Sequence, residues 1–453
     1  MKMCVLKKST SVLVAFLLIV FVSCSFLTTN YDGEAIKEKE KKKQWTFIFY
    51  LAGDNELEGS LIEDLCEIEA VKKVNKDIHV IALLDRSPFH DNSNGDWSGT
   101  RLYEVISDPK GSNKNIISKQ LVFPELGLYL ESDTNVNTAD KTVLAKTISY
   151  AKKNYPANQY ALVMGGHGTG WRSRNTQNPP DTASYTNRNR AFAIDDSSGQ
   201  YMSVKSFGEA ISGQGIDIVV LDTCFGALLE VAYEIKDACS YLLASESSIP
   251  LYGWNYTSFF TSFIASSFNH EDFFSSAFSQ FEDAYKNEEK VSLSLIDCSK
   301  VKKVKLAFDN YAKESAKTIQ SSEDRNGYLS WITQSVLSFC DYAEKTDMFI
   351  DLYSFGKEGG ETFPVLEVEA KALQESLKEA VPHSFNSFQT EGYNLGVYFA
   401  SYENGVMSAS HPDAYVQGSG ISDLSRFVKE SDGWVPHKEV KDSLLDLLFY
   451  TTF

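Results

Sequence analysis

Basic residues are scarce in this sequence of 453 residues. Lys and Arg number 43 against 61 Asp and Glu, which gives a formal net charge of −18. This balance argues against nucleic acid as a partner and against binding an anionic membrane through a basic patch; basic ligands would be attracted instead. No internal repeat occurs. Hydrophobic residues make up 43% of the chain, enough for a sizeable core in one large domain or a few ordinary ones.

Cysteine is also scarce, and the seven present are not arranged as metal ligands. Their spacings are wide, no Cys-x-x-Cys pair occurs, and the histidines other than His167 are scattered, so the sequence predicts no zinc site. Cys4 and Cys24 fall in an N-terminal export segment. The remaining cysteines are Cys66, Cys224, Cys239, Cys298 and Cys340. Their odd number leaves at least one thiol free in an exported protein.

The N-terminus has the pattern of a bacterial lipoprotein signal. An apolar stretch, residues 12–22, follows three basic residues: Lys2, Lys7 and Lys8. The Ser23-Cys24 pair that follows resembles a lipobox. We therefore predict a signal peptide over residues 1–23, lipid on Cys24 and a polar tether over residues 24–43, which takes the mature net charge to −18 − 3 = −21. An uncleaved membrane anchor is the alternative, because residues 11–27 approach the shortest span that crosses a bilayer.

This signal predicts a location as well as a modification. A lipid-anchored protein of this kind belongs to the bacterial cell envelope, on the periplasmic or the surface face of the outer membrane. The membrane would be contacted through the N-terminal lipid anchor only, and the acidic chain is expected to have no nucleic-acid partner.

Strand and helix patterns alternate along the rest of the chain. Trp45–Leu51 predicts a strand, residues 59–74 a helix with apolar positions near a period of 3.6, and Ile78–Leu84 a second strand. This order implies a right-handed crossover and a parallel sheet. We assign residues 44–320 to a core and residues 321–453 to a C-terminal region that completes or extends it. In that region the patterns predict two helices and a strand: Trp331–Tyr342, Glu367–Ala380 and Gly392–Phe399.

Cys224 has the position of a nucleophile. The apolar run Ile216–Leu221 predicts a strand buried on both faces, and it ends in a polar Asp-Thr-Cys corner before a helical pattern over Leu228–Ile235. Open α/β sheets bind ligands at the carboxyl ends of their strands, where the amides of a helix start can also favour a thiolate. A buried structural thiol is the alternative, since that is the common state of an isolated cysteine.

His167 is the expected partner of this thiol. The apolar strand Tyr160–Met164 runs into a segment with four glycines around one histidine, residues 165–171. The glycines allow a sharp turn and close approach to a substrate, and they expose the imidazole at the same sheet edge. The spacing does not fit a dinucleotide-binding Gly-x-Gly-x-x-Gly motif, because Trp171 occupies the third glycine position. A turn histidine satisfied by backbone groups is the alternative.

These two segments resemble the clostripain-like cysteine peptidases, relatives of caspases, legumain and gingipains. The resemblance rests on His167-Gly168 after one strand and on Asp222 to Cys224 after another, and it extends to the stretches 244–246 and 252–256. It covers roughly residues 45–399. It implies a caspase-like α/β/α sandwich with a mostly parallel central sheet, and a cysteine endopeptidase that hydrolyses polypeptides through a covalent thioester.

The resemblance also assigns roles to individual residues. Cys224 would be the nucleophile and His167 the general acid and base, and the backbone amides of Gly168 and Cys224 would form an oxyanion hole. Asp222 would line the primary specificity pocket and select Arg or Lys through a charge-assisted pair. Many relatives have Asp where this chain has Asn255, which puts a strict basic preference in doubt. Alternatively, Asp222 simply caps the following helix.

The resemblance also predicts roles for two further segments. Relatives mature by cleavage between the two catalytic strands, and here residues 172–190 form a polar loop with four arginines, the last at Arg190 before Ala191. We predict self-processing between these two residues; the alternative is that the arginines only keep the loop soluble. Some relatives use calcium, which makes Asp195 and Asp196 candidate ligands; adjacent carboxylates point in different directions, however, which favours the alternative of a solvated loop. No other cofactor or metal is expected.

Two alternative functions use the same fold. A catalytically silent lipoprotein could bind peptides or host molecules, but it would need no reactive thiol at the sheet edge. A transpeptidase or ligase would use the same thioester and capture it with an amine instead of water.

Overall fold

A computed structural model provides the structure of this protein. It describes residues 42–111, 114–168, 170, 192–288, 291–321, 331, 335–340, 347–387, 392, 394–400, 402–403 and 406–407. Within these ranges, none of the helices is long and apolar enough to cross a membrane. The predicted signal peptide, Cys24, Arg190 and Ala191 lie outside the described residues, as does the tether except for Lys42 and Lys43.

A nine-stranded sheet runs through the centre of the described chain. Its strands are β1 (Lys43–Gly53), β2 (Ile78–Arg86), β3 (Gly99–Glu104), β4 (Lys119–Leu121), β5 (Ala157–Gly165), β8 (Ile216–Asp222), β9 (Cys239–Ala244), β10 (Ser292–Asp297) and β13 (His383–Asn386), while β6 (Phe192–Asp195) and β7 (Gln200–Met202) form a separate hairpin. The order across the sheet is β13-β10-β9-β8-β5-β1-β2-β3-β4. The five central strands are parallel to one another; in spatial order they are β9, β8, β5, β1 and β2. At both edges of this group the next strand pairs in the antiparallel direction.

Alternating side chains of the central strands build two separate cores. In β1, Ile48 and Tyr50 face one core, and Phe47 and Phe49 face the other. Both sets are fully or almost fully buried, which is why the sequence of β1 reads as a continuous apolar run. A sheet that is apolar on both faces must be covered by helices on both faces.

Helices cover both faces of this sheet. The first core is packed by α2 (Lys141–Asn154), α3 (Val204–Ile211), α4 (Leu229–Ile235), α7 (Val301–Ser321), α8 (Leu352–Thr362) and α9 (Glu367–Ala380), and the second by α1 (Glu58–Glu69), α5 (Tyr256–Ile264) and α6 (His270–Tyr285). The chain is therefore an α/β/α sandwich, as predicted.

The C-terminal region contributes to the main sheet and also forms a second sheet. β13 pairs with β10 at the edge of the main sheet. The second sheet contains β11 (Ser338–Cys340), β12 (Asp347–Asp351) and β14 (Gly396–Ala400), and a short hairpin, β15 (Tyr402–Glu403) and β16 (Val406–Met407), follows it. The helix predicted over Trp331–Tyr342 is therefore wrong in its second half, where β11 pairs with β12. Apolar residues in a short segment fit either period, and pairing with β12 decided the outcome.

A buried pair of carboxyl groups lies where the two sheets meet. Glu246 follows β9, and Asp351 ends β12, where it caps α8 by accepting a hydrogen bond from Ser354 N at 2.6 Å. Neither residue is accessible to solvent. Burial and the neighbouring Asp351 raise the pKa of Glu246 well above its usual value, and burial raises the pKa of Asp351 to about 7. The pair therefore holds a proton at neutral pH.

This pair should make stability fall as pH rises. A raised pKa means that the folded chain keeps a proton that the unfolded chain releases above about pH 4, so the free energy of unfolding decreases as pH rises toward 7. We expect Glu246→Gln, whose amide can donate to Asp351, to flatten the fall in Tm between pH 5 and pH 8. Thermal unfolding at a series of pH values measures it, with the exposed Glu282→Gln as the matched control. Equal slopes in wild type and Glu246→Gln would contradict the assignment.

Candidate active site

Cys224 and His167 follow adjacent parallel strands. β5 pairs with β8 in parallel, and Gly165 lies opposite Asp222 in the register. His167 and Cys224 are each two residues beyond that pair, so both leave the sheet at the same carboxyl edge. Two residues 57 positions apart in sequence are therefore presented side by side, at the edge where α/β sheets bind ligands.

Gly168 brings the backbones of the two loops into contact. A Cβ atom at this position would lie 2.3 Å from the carbonyl oxygen of Cys224 and 2.7 Å from Cβ of Thr223. Only glycine permits such an approach without moving one of the loops. The histidine loop thus packs directly on the backbone that carries the thiol, and this contact also places the amides of Gly168 and Cys224, the predicted oxyanion donors, in neighbouring segments.

The sulfur of Cys224 receives a backbone hydrogen bond. The Ile249 amide donates to Sγ at 3.3 Å, and the thiol, which is partly exposed and not in a disulfide, is 3.7 Å from the Ile249 carbonyl oxygen. A donor directed at sulfur favours the thiolate, whereas donation from the thiol to a carbonyl oxygen favours the neutral form. Sequence analysis assigned this role to the start of the following helix, but α4 begins five residues later, at Leu229. By contrast, burial raises the pKa of the Cys66 thiol to about 12.

A strained turn holds the thiol in place. Phe225 has a φ of 54°, which is rare for a bulky residue and costs of the order of 1–3 kcal/mol. Its amide donates to Ser247 O at 3.1 Å, and its ring stacks on Phe349 of the second sheet with centroids 4.6 Å apart. Two residues further on, the Ala227 carbonyl accepts from Gly396 N at 2.9 Å. The C-terminal sheet therefore supports the loop that carries Cys224.

A carboxylate that the sequence analysis missed lies beside the histidine. Glu56 Oε1 is 3.1 Å from His167 Nε2, and the Glu56 side chain is 53% exposed. Glu56 follows the end of β1, which neighbours β5 in the sheet. A carboxylate at this distance limits rotation of the ring. The available signal was its position just beyond a central strand, but an isolated Glu in a polar turn is not distinctive.

The Asp222 side chain is buried among acidic and aromatic residues. It is 8% exposed, it accepts a hydrogen bond from Tyr256 Oη at 2.9 Å, and Gly253 packs against its carboxylate. Burial, supported by the charge of Glu67, raises the pKa of Asp222 to about 6 against the opposing effect of its hydrogen bonds. Asp64 of α1 is a close electrostatic neighbour. The alternative that Asp222 caps the next helix is wrong, because the N-cap of α4 is Leu228.

Asn255 has a structural task in this arrangement. Its side-chain oxygen accepts from Ser258 N at 2.8 Å and caps α5, and its backbone N–H donates to Gln280 Oε1. The specificity roles of Asp222 and Asn255 stay predictions, as does the oxyanion hole.

Comparison with known proteins now identifies the family. The clostripain family matches residues 49–415. The chain belongs to the clostripain family. Clostripain from Hathewaya histolytica is 33% identical over 210 residues, which is 44% of this chain and 37% of that protein. The aligned segment thus spans little more than a third of the length of that relative.

Solved structures agree with this fold. The structure of an inactive zymogen protease from Parabacteroides distasonis has a TM-score of 0.58 at 16% identity and covers 89% of this chain and 98% of that one. A secreted cysteine protease from Bacteroides thetaiotaomicron, in complex with an irreversible peptide inhibitor, has a TM-score of 0.51 at 18% identity and covers 84% and 99% of the two chains. At these identities the likeness shows the fold alone.

The calcium expectation for this clostripain-family chain needs correction. Asp195 is not part of a solvated loop, because it is 1% exposed at the end of β6. Asp196, by contrast, is partly exposed, and its amide donates to Asp54 O at 2.9 Å. The two adjacent residues therefore do not form a pair of ligands; Asp195 groups with Asp54 and Asp85 instead.

Proposed function

We propose that this clostripain-family chain is a cysteine endopeptidase that acts through Cys224 and His167. The observation that supports this best is the contact of Gly168 with the backbone of Cys224, which holds a histidine and a partly exposed, hydrogen-bonded thiol at one sheet edge. The relative from B. thetaiotaomicron binds an irreversible peptide inhibitor, and peptide substrates are accordingly proposed here.

The proposed reaction has two steps. The Cys224 thiolate attacks the peptide carbonyl, and the amides of Gly168 and Cys224 stabilise the oxyanion that forms. His167 protonates the leaving amine, which departs and leaves a thioester on Cys224. His167 then takes a proton from water, and the resulting hydroxide releases the carboxylic acid and regenerates the thiolate. Glu56 acts on His167 as a positioning residue, because its carboxylate lies beside the ring and restricts its orientation.

Removing either member of the pair should abolish activity. We expect Cys224→Ala and His167→Ala each to lower amide hydrolysis by several orders of magnitude, because nucleophile and general acid act as a unit. Hydrolysis of a peptide library by the purified variants measures it, with Cys239→Ala and His383→Ala as matched controls. A Cys224→Ala protein that is folded and active would refute the proposal. Capture of the acyl group by added amines, in preference to water, would indicate a ligase instead.

We also propose that the residue before the scissile bond is preferably Arg or Lys, because acidic side chains surround Asp222. Asp64 and Glu67 of α1 lie close enough to affect the pKa of their neighbours in this pocket. Burial raises the pKa of Asp64, of Glu67 and of Asp222, so the negative charge of this acidic group develops as pH rises. Basic side chains are therefore attracted even though many relatives have an acid at the position of Asn255.

This preference should depend on pH and on Asp222. Because the pKa of Asp222 is raised to about 6, its charge develops as pH rises through 6, and selectivity for Arg and Lys over neutral residues should increase over the same range. Asp222→Asn should reduce that selectivity by about 10- to 100-fold. kcat/KM for matched Arg and Gln substrates between pH 5 and pH 8 measures both effects.

Asn255→Asp separates the two roles of residue 255, because Asp caps a helix as well as Asn does. Increased selectivity for Arg would place residue 255 in the pocket, and unchanged selectivity would leave it a helix cap. No basic preference in wild type would refute the assignment of Asp222.

Maturation by cleavage after Arg190 is also proposed. The next described residue, Phe192, begins β6 and bridges to Gly168. A cut between Arg190 and Ala191 would therefore free the arginine-containing loop and leave β6 attached beside the catalytic histidine. Self-processing fits a basic preference, because the sequence of the loop contains four arginines.

N-terminal sequencing and intact mass of protein from the membrane fraction test both processing and export. We expect a new terminus at Ala191 in wild type but not in Cys224→Ala, and a lipid-modified Cys24 as the mature N-terminus in both. A fully active single chain would exclude a requirement for the cut. An unmodified N-terminus that retains residues 1–23 would favour the uncleaved anchor.

A further inference from the structure

Two cysteine thiols that the proposed reaction does not use are in contact inside the first core. Cys239 begins β9, and Cys298 begins a short 3-10 helix, Cys298–Lys300, that follows β10. Both are free thiols in the structure, both side chains are buried in the first core, and their Sγ atoms are 3.6 Å apart. We call these two residues the cysteine pair.

The pairing of β9 with β10 brings the two cysteines together. The last pair of the antiparallel register joins Tyr241 to Asp297, so Cys239 and Cys298 lie just beyond the same end of the ladder. The Asp297 side chain accepts from Ser299 N at 2.9 Å and caps the short helix, which fixes the backbone that carries Cys298. The contact between the sulfurs therefore follows from the backbone of both segments.

A small movement would join the two sulfurs. A disulfide holds its sulfur atoms about 2.0 Å apart, so the Sγ atoms of the cysteine pair, now 3.6 Å apart, would each move by less than a bond length. Rotation about the Cα–Cβ bonds can supply this shift while the strands stay paired. In the reduced state the contact is weak, because a thiol is a weak donor and a weak acceptor.

Neither catalysis nor metal binding explains the cysteine pair. Cys239 lies opposite Ile216 at the start of β8, so the pair is at the amino edge of these parallel strands, whereas Cys224 follows their carboxyl edge. Structural zinc sites use four Cys or His ligands. Among the residues that the structure describes, the pair does not belong to a group of three side chains close enough to bind one metal ion.

We propose that Cys239 and Cys298 form a disulfide bond in the exported protein. The predicted lipoprotein signal directs the chain to the cell envelope, where disulfides form and persist. The proposal therefore rests on the predicted export, but it is independent of the peptidase activity. The bond would leave Cys66, Cys224 and Cys340 as thiols, which agrees with the odd number of cysteines that follow the signal and Cys24.

The bond forms by exchange with an external disulfide. The thiolate of one cysteine attacks a sulfur of this donor disulfide and displaces one donor thiolate, which leaves a mixed disulfide. The thiolate of the other cysteine then attacks the sulfur of the first cysteine and displaces the second donor thiolate. The cysteine pair loses two protons and two electrons, and the donor disulfide takes up both as it becomes two thiols.

This exchange has to take place before folding is complete. Contact with the Cys239 thiol and burial raise the pKa of Cys298 well above its usual value, so the folded pair contains little thiolate and is closed to an external disulfide. The fold also selects the partner: Cys66 lies in the second core, on the other face of the sheet, and Cys224 lies at the other edge.

The bond would stabilise the segment that borders the active site. It links residues 59 positions apart (298 − 239 = 59), and the loop that it closes contains Ile249, whose amide donates to Cys224 Sγ, and the helices α5 and α6. Cross-linking a loop of this length lowers the conformational entropy of the unfolded chain and so raises Tm. The disulfide would thus stabilise the fold around the active site without taking part in the reaction.

Thiol trapping in the exported protein tests the bond directly. Cells that make the full-length chain with its own signal are quenched in acid, and the membrane fraction is denatured, alkylated without reductant, digested and analysed by mass spectrometry. We expect the peptides of Cys239 and Cys298 to be recovered as one cross-linked species that separates on reduction, and Cys66 to be alkylated. Cys298→Ala should make Cys239 alkylatable, whereas the matched control Cys66→Ala should keep the cross-link.

Thermal unfolding separates a covalent bond from simple packing. In the Cys224→Ala background, which prevents self-digestion, Cys239→Ala, Cys298→Ala and the double variant should each lower Tm by about 5 °C, because the same bond is lost in all three. When the parent protein and the variants are refolded in reductant, this difference should largely disappear, and the effect of Cys66→Ala should stay the same.

Two results would overturn the proposal. One is complete alkylation of Cys239 and Cys298 in the unreduced parent protein, a measurement that needs no variant and so holds even where a substitution prevents folding. The other is a loss of Tm in Cys239→Ala and Cys298→Ala that is the same with and without reductant, because two thiols that only fill the core would behave in this way.

Discussion

The parallel pairing of β5 with β8 is the constraint on which the site depends. With Gly165 opposite Asp222, the positions of His167 and Cys224 are set by the backbone ladder rather than by side-chain interactions. Gly168 then closes the gap, because the absence of a Cβ allows its backbone to rest on Cys224 O. A one-residue slip in this register would turn every core side chain of β8 to the opposite face, so the two cores of the sandwich stabilise the relative positions of His167 and Cys224.

Much of this arrangement could be predicted from the sequence because its signals are local. Buried parallel strands have continuous apolar runs, and the residues that follow them are at the functional edge of the sheet. The observed bounds of α3 and α9 also match the segments in which apolar residues recur with the period of a helix. The helices that were missed have unfavourable local composition: α5 is rich in aromatic residues, and α8 contains Gly356, Gly359 and Gly360. Tertiary packing overrides propensity in both cases.

The rest of the site could not be predicted because it depends on contacts between distant segments. Ile249 N reaches the Cys224 sulfur from a loop 25 residues away. Asp64, in α1, is brought next to Asp222 only because α1 packs on the same face as Tyr256. Aspartates often follow predicted strands, so Asp54 and Asp85 had no distinctive sequence pattern. Asp195 was paired with Asp196 in the sequence, whereas in the structure it lies beside Asp54 and Asp85. Sequence spacing relates residues within one loop but not residues that three strands bring together.

The segment after β1 connects these features. Asp54 lies close to the carboxylates of Asp85 and Asp195, and Asn55 Nδ2 donates to Ala52 O and Ile194 O at 2.9 and 3.0 Å. Glu56 contacts His167, and Glu58 binds Arg86. Four polar side chains within five residues therefore tie β1 to β2, to β6 and to His167. Such a density of charge near a dry sheet edge is stable only when each group has its own partner. β6 begins directly after the proposed processing site. Interactions that fix β6 to the segment after β1 therefore also restrict the conformation of the backbone around His167 after the loop is cleaved.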